Sequence, residues 1–207
     1  WFRSIQVIFP NSKVRFLPIR ISTDMDFQKF ISDSLSKMDT GVIRVSAVSD
    51  ELDFHDFAEK ANFPKELIQE IEEKKHGMFN IGGKYYIFGE KQKNRMRLIQ
   101  IKFEHRLNSK SVEFDLEDES DGTQRLLDLL PMLFTIDKKN KSIYFVDEID
   151  RSLHTKLSKY LLRLFLKNSN ETNCQIIYTA HDVNLIDMDE FSQDEIWFVE
   201  KKLTGET

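Results

Sequence analysis

Residues Ser142-Ile143-Tyr144-Phe145-Val146-Asp147-Glu148-Ile149-Asp150 decide the fold class. Ile143 to Val146 form a short continuous apolar run, the pattern of a strand buried on both faces of a parallel sheet. Carboxylates follow at its C-terminal tip, the edge where open α/β sheets bind their ligands. Ile176-Ile177-Tyr178 and Ile196-Trp197-Phe198-Val199 read as two further strands of this kind. Between the first two runs, Leu153, Leu157, Leu161 and Phe165 recur every four residues, one stripe of a helix. Strand, helix, strand in that order is the crossover of an α/β fold.

Upstream the period changes. Phe79-Asn80-Ile81, Gly82-Gly83 and Tyr85-Tyr86-Ile87-Phe88 read as a hairpin. Leu98, Ile99, Ile101 and Phe103, then Val112, Phe114 and Leu116, predict two more strands, so residues 78–116 form an antiparallel patch. Residues before Gly77 look mostly helical. Phe27, Phe30, Ile31 and Leu35 stand at helical spacing, and a second helix starts near Pro64 with Leu67 and Ile71. Val42-Ile43-Arg44-Val45 reads as a short strand.

The chain has 207 residues, 40% hydrophobic and 31% charged, which is globular and excludes a disordered chain. Scarce turn residues, seven Gly and four Pro, argue against a barrel of many short strands. The one cysteine, Cys174, excludes an intrachain disulfide framework and fits a reducing compartment, hence a cytoplasmic location. No apolar run approaches the ~18 residues of a membrane span, so no membrane partner is expected. A net charge of −5 gives no general case for nucleic acid. Charge is uneven, however. Lys84 to Lys110 holds eight basic residues against two acidic, and Glu113 to Asp128 seven acidic against one basic. The two stretches read as solvated faces, or the basic one as a phosphate or nucleic-acid contact.

Three signals carry chemistry. In a nucleotide hydrolase a strand ending in two acids is the Walker B pattern. In such an enzyme the first acid, here Asp147, would hold Mg²⁺ through water, because Mg²⁺ keeps several waters. The second, here Glu148, could orient and deprotonate the attacking water. Next, Ile176-Ile177-Tyr178-Thr179-Ala180-His181 is a strand ending in a histidine. If the two strands are neighbours, His181 lies beside the acids and can hydrogen-bond a γ-phosphate. Last, Ser120 is a good N-cap for the Leu-rich helix behind it, closed by Pro131. A helix start offers free N–H groups to an anion, and Gly122 lets a phosphate approach the backbone.

In this order the three signals resemble the C-terminal half of an ABC-type ATPase domain. They are most similar to the bacterial AAA-family ATPases of the RecF/SMC/OLD (overcoming lysogenization defect) group, many of which serve phage defence. Ser120-Asp121-Gly122-Thr123 matches the signature loop, Asp147 and Glu148 the Walker B pair, and His181 in Thr179-Ala180-His181 the switch histidine. Ile149-Asp150-Arg151-Ser152-Leu153-His154 matches the D-loop. Arg106 to Pro131 and Ser142 to Lys201 carry the resemblance, with Asp39-Thr40-Gly41 similar to a turn of the group's inserted arm.

The resemblance implies an α/β fold: the C-terminal lobe of an ABC-type ATPase with a parallel sheet, an antiparallel patch and an inserted helical arm. Residues 1–77 would be the arm and 78–207 the lobe. It implies ATP and Mg²⁺ as cofactors and a homodimer that sandwiches two ATP molecules. Glu148 would be the catalytic base and His181 the γ-phosphate sensor. Asp147 would position the metal. Ser120, Gly122 and Thr123 would close the partner's site, and Asp150 would make the D-loop contact. An effector protein or a nuclease is the partner implied for the output, and nucleic acid is left open.

A phosphate loop, G-x-x-x-x-G-K-[ST], is also expected. The nearest stretch, Gly77-Met78-Phe79-Asn80-Ile81-Gly82-Gly83-Lys84-Tyr85, has its lysine one place late and Tyr85 where Ser or Thr is needed. It reads as the hairpin turn. With Trp1 first, the expectation is that the N-terminal Walker A lobe lies outside this chain. Other readings have less support. Asp147-Glu148-Ile149-Asp150 also fits the D-E-x-D tetrad of superfamily 2 helicases, and Asp147, Glu148 and Asp150 could serve a two-metal nuclease. Cys174, His154 and His181 lack the usual zinc spacing. A non-catalytic dimerisation or regulatory module is the remaining alternative.

Overall fold

The computed structural model describes residues 4–74, 76–81, 84–89, 95–108, 110–136, 142–169, 172 and 174–200. In chain order the elements are β1 (Ser4–Ile8), α1 (Leu17–Thr23), α2 (Met25–Lys37), β2 (Val42–Asp53), α3 (Phe54–Lys60) and α4 (Lys65–Glu73). They continue with β3 (His76–Ile81), β4 (Lys84–Gly89), β5 (Arg95–Leu107), β6 (Lys110–Asp115), α5 (Asp121–Phe134), β7 (Ser142–Val146), α6 (Thr155–Ser169) and β8 (Gln175–Tyr178). They fall into two units, residues 1–12 with 135–207, and residues 13–134.

The first unit is the α/β lobe. Its sheet has the order β1-β7-β8, all parallel. The β7–α6–β8 crossover is the one read from the sequence. Tyr144 and Val146 point to the face that α6 covers, where Tyr144 meets Phe165 edge-on at 5.8 Å. On the other face the register aligns Val7, Phe145 and Ile177. These are 51%, 38% and 52% exposed. The apolar runs are therefore well covered on the α6 face and only about half covered on the other. Ile196–Val199 is also corrected: it has no strand structure, and Trp197 is 86% exposed. No described strand offers it a partner, and an apolar run without one cannot pair its backbone. β1 joins the sheet without having been foreseen.

In the second unit β5 is the spine. It pairs antiparallel with β2 along one edge, and with β4 and then β6 along the other. The predicted patch is present, and the short strand at Val42 is in fact the 12-residue β2. The β3–β4 hairpin stacks Phe79 on Tyr86 with ring centroids 5.1 Å apart, in place of a phosphate loop. Gly82-Gly83 lies outside the described residues. Asp24 caps α2 by accepting the Phe27 N–H at 2.9 Å. Phe27, Ile31 and Leu35 then bury one helical face completely. The Ser32 hydroxyl donates to the Gln28 carbonyl at 2.9 Å and accepts the Val45 N–H at 2.9 Å, tying α2 to β2. The helix after Ser120 runs through Pro131 to Phe134 instead of closing there. Burial of Leu126, Leu127, Leu129 and Leu130 outweighs the one hydrogen bond that a proline removes.

The oppositely charged stretches meet each other. Lys102 and Asp115 are cross-strand partners on β5 and β6, with Nζ 2.7 Å from the carboxylate, and Lys84 reaches the same side chain at 3.7 Å. Arg44 pairs with Glu104 at 2.8 Å and Arg95 with Glu51 at 3.1 Å. Three of the eight basic residues of the stretch, Lys84, Arg95 and Lys102, thus face local acids.

The Lys102 ammonium, and after it Lys84, holds the Asp115 carboxyl below its ordinary range against the opposing effect of burial. A carboxyl lowered in the folded state adds stability above its unfolded value, about 3.9. That stability is lost as pH falls through the folded value. Lys102→Met should therefore lower the urea midpoint at pH 6–7, and its gap from wild type should close as pH falls below about 4. A gap independent of pH would show that the pair contributes nothing through charge.

Candidate functional site

The site in the α/β lobe starts from strand pairing. β7 and β8 are in register from Ile143↔Gln175 to Val146↔Tyr178, so their C-terminal ends stand side by side. The ladder runs one residue further on each side. Asp147 donates its N–H to the Ile8 carbonyl at 2.9 Å, and Thr179 donates to the Val146 carbonyl at 3.0 Å.

Beyond the strand the chain turns sharply. Glu148 has φ +47°, a left-handed conformation that costs an ordinary residue about 1–2 kcal/mol. Fully buried Ile149 anchors the turn, and its N–H donates to the Thr179 carbonyl at 3.0 Å. The Thr179 hydroxyl accepts the Glu148 N–H at 2.8 Å and donates to Asp147 Oδ1 at 2.6 Å.

Asp150 faces the loop after β8. Its Oδ2 accepts the N–H groups of His181 at 3.0 Å and Asp182 at 2.9 Å. Asp182 in turn accepts the Thr155 hydroxyl at 2.5 Å, at the start of α6. The Thr155 hydroxyl, and then the Asn184 backbone N–H, keep the Asp182 carboxyl below the usual range.

The histidine and the acids therefore meet at one edge. His181 Nε2 is 3.6 Å from Glu148 Oε1, and Arg151 Nη1 is 3.6 Å from Glu148 Oε2. These are ion-pair distances, too long for hydrogen bonds. The His181 side chain is 83% exposed and available to a ligand. Among the described residues no group of three or more His, Cys, Asp and Glu is arranged as a metal cage. Mg²⁺ bound to a nucleotide needs only one or two carboxylates, with water and phosphate oxygens completing its shell. Asp147 offers a hard oxygen donor of that kind at the sheet edge.

Ser120, Gly122 and Thr123 belong to the other unit, at the start of α5. The Ser120 hydroxyl accepts the Thr123 N–H at 3.1 Å and lies 3.0 Å from the Thr123 hydroxyl, so the serine is the N-cap read from the sequence. The residue before it, Glu119, is buried and accepts from His105 Nε2 on β5 at 2.6 Å. That pair fixes where α5 begins, and nothing local in the sequence signals it. The sequence pattern places Thr179 only at a strand end. Its bridging hydroxyl depends on which strands are neighbours.

Among the described residues no helix is long and apolar enough to cross a membrane. No curated protein matches the chain. The protein-family model described as "AAA domain, putative AbiEii toxin, Type IV TA system" matches residues 3–187, nearly the whole sequence and all of the site just described. An acid-tipped parallel strand beside a histidine-tipped one fits the nucleotide-binding, ATPase-type character of AAA domains, and the chain belongs to that AAA-domain family.

Proposed function

We propose that this chain supplies the catalytic half of an ABC-type ATPase site of the RecF/SMC/OLD-like group, working as a homodimer. The observation that carries the reading is the convergence of Asp147, Glu148 and His181 where β7 and β8 end together. Asp147 holds the Mg²⁺ of the nucleotide, which neutralises phosphate charge when bound. Glu148, aimed from a strained turn, takes the proton of the attacking water. His181 donates a hydrogen bond toward the γ-phosphate. Asp150 Oδ2 accepts two N–H groups of the backbone that carries His181, which supports a role in holding the histidine.

Ser120, Gly122 and Thr123 contribute the N–H-rich start of α5 to the nucleotide held by a second copy. No G-x-x-x-x-G-K-[ST] loop occurs in these 207 residues, so the complete site takes its phosphate loop from residues outside them. Similarity to a family that includes toxin–antitoxin proteins supports a place in bacterial defence. An effector protein or nuclease would then carry the output.

In the full-length protein, Glu148→Gln should bind ATP yet hydrolyse it at least ~100-fold more slowly, the scale of a lost general base. Asp147→Ala should weaken Mg·ATP binding. Normal turnover by Glu148→Gln would refute the assignment of the base. Binding with no hydrolysis in wild type would favour a regulatory module.

Shared sites make a second expectation. Ser120→Arg blocks the partner's site, whereas Glu148→Gln disables its own. Mixing the two inactive variants should restore hydrolysis, to at most about half the normal rate, because each mixed dimer contains one whole site. No recovery, with mixed dimers confirmed by mass, would count against sites composed from two chains.

A further inference from the structure

The turn after β7 and the loop after β8 are joined by one side chain that no family motif assigns. The Thr179 hydroxyl accepts the Glu148 N–H at 2.8 Å and donates to Asp147 Oδ1 at 2.6 Å. The direction of this chain is fixed. A backbone amide can only donate, so it takes one of the oxygen's two lone pairs and leaves the hydroxyl proton for the carboxylate. Because both bonds meet at one atom, moving either acid's backbone disturbs the other. The β-branch of threonine also restricts χ1, which keeps the hydroxyl aimed at the turn.

The geometry points to Thr179 as the positioning residue of the hydrolytic site. One hydroxyl sets the plane of the carboxylate that serves Mg²⁺. Through the next peptide it also holds Glu148 at φ +47°, the conformation that sends its side chain toward His181. Groups that orient a metal's ligand in this way tune affinity without touching the metal. This rests on the reading of Asp147 and Glu148 given above. Thr179 itself is exposed. Replacing its hydroxyl by a methyl group therefore leaves the core and the sheet ladder intact. The isosteric Thr179→Val removes both hydrogen bonds, and Thr179→Ser keeps the oxygen.

The experiment uses the full-length protein, with a fluorescent ATP analogue titrated at increasing MgCl₂ and hydrolysis measured in parallel. Thr179→Val should raise the Mg²⁺ concentration for half-maximal nucleotide binding by about 10–100-fold, the usual range for losing a group that orients a metal ligand. Metal-free nucleotide binding should stay as in wild type, kcat should fall, and Thr179→Ser should recover most of both. Two results would overturn the inference. One is wild-type Mg²⁺ dependence and turnover in Thr179→Val while Asp147→Ala loses both. The other is an equal loss of metal-free and Mg²⁺-loaded binding, which marks a general structural defect. If Asp147→Ala also behaves as wild type, the reading of the site falls first, and the role of Thr179 falls with it.

Discussion

Everything at the candidate site depends on the parallel, in-register pairing of β7 with β8. Parallel neighbours end at the same level, and here one ends in Asp147-Glu148 and the other in Thr179-Ala180-His181. A slip of one residue would turn the alternate side chains over. Tyr144 and Val146 would leave the face covered by α6, and the acids would no longer meet the histidine. Packing of Tyr144 on Phe165 thus selects the register, and the register assembles the site. The loops then lock across the edge in both directions, since Thr179 holds the β7 turn and Asp150 holds the β8 loop.

The second unit rests on a different constraint. β5 is long enough to pair with three strands, and its Arg95, Lys102 and Glu104 find ion-pair partners on the strands beside it. Exposed ion pairs of this kind contribute little individually. Their consequence is electrostatic: within the basic stretch, Lys84 and Lys102 are answered by Asp115 and Arg95 by Glu51. At the far end of the same unit, the part-buried His105–Glu119 pair and the Ser120 cap define the first turn of α5. The serine proposed to act on a nucleotide is thereby held ready by its own helix.

Much of this was legible from residue types, for identifiable reasons. A short apolar run ending in acids, followed by a stripe of Leu153, Leu157, Leu161 and Phe165, allows few arrangements other than a crossover. Ser120 was readable because capping is local chemistry. The failures share a cause as well. Apolar runs report that side chains prefer burial, not that a neighbour exists, so Ile196–Val199 read as a strand although no described strand pairs with it. The same limit explains the half-exposed Val7 and Ile177. Pro131 suggested a helix end, but packing around the whole of α5 overrode the local signal. Thr179 and Asp150 act through contacts about 30 residues away, which become visible only once the strand order is known.

The central claim is that the nucleotide's metal sits at the shared end of β7 and β8. Mn²⁺ can replace Mg²⁺ with a nucleotide and broadens NMR signals from nuclei close to it. With Mn²⁺ and ATP bound to the full-length protein, amide signals of residues 147–150 and 179–182 should broaden, while those of Leu166–Ser169 at the far end of α6 stay sharp. Broadening centred on the acidic stretch from Glu113 to Glu119, with residues 147–150 unaffected, would contradict the account.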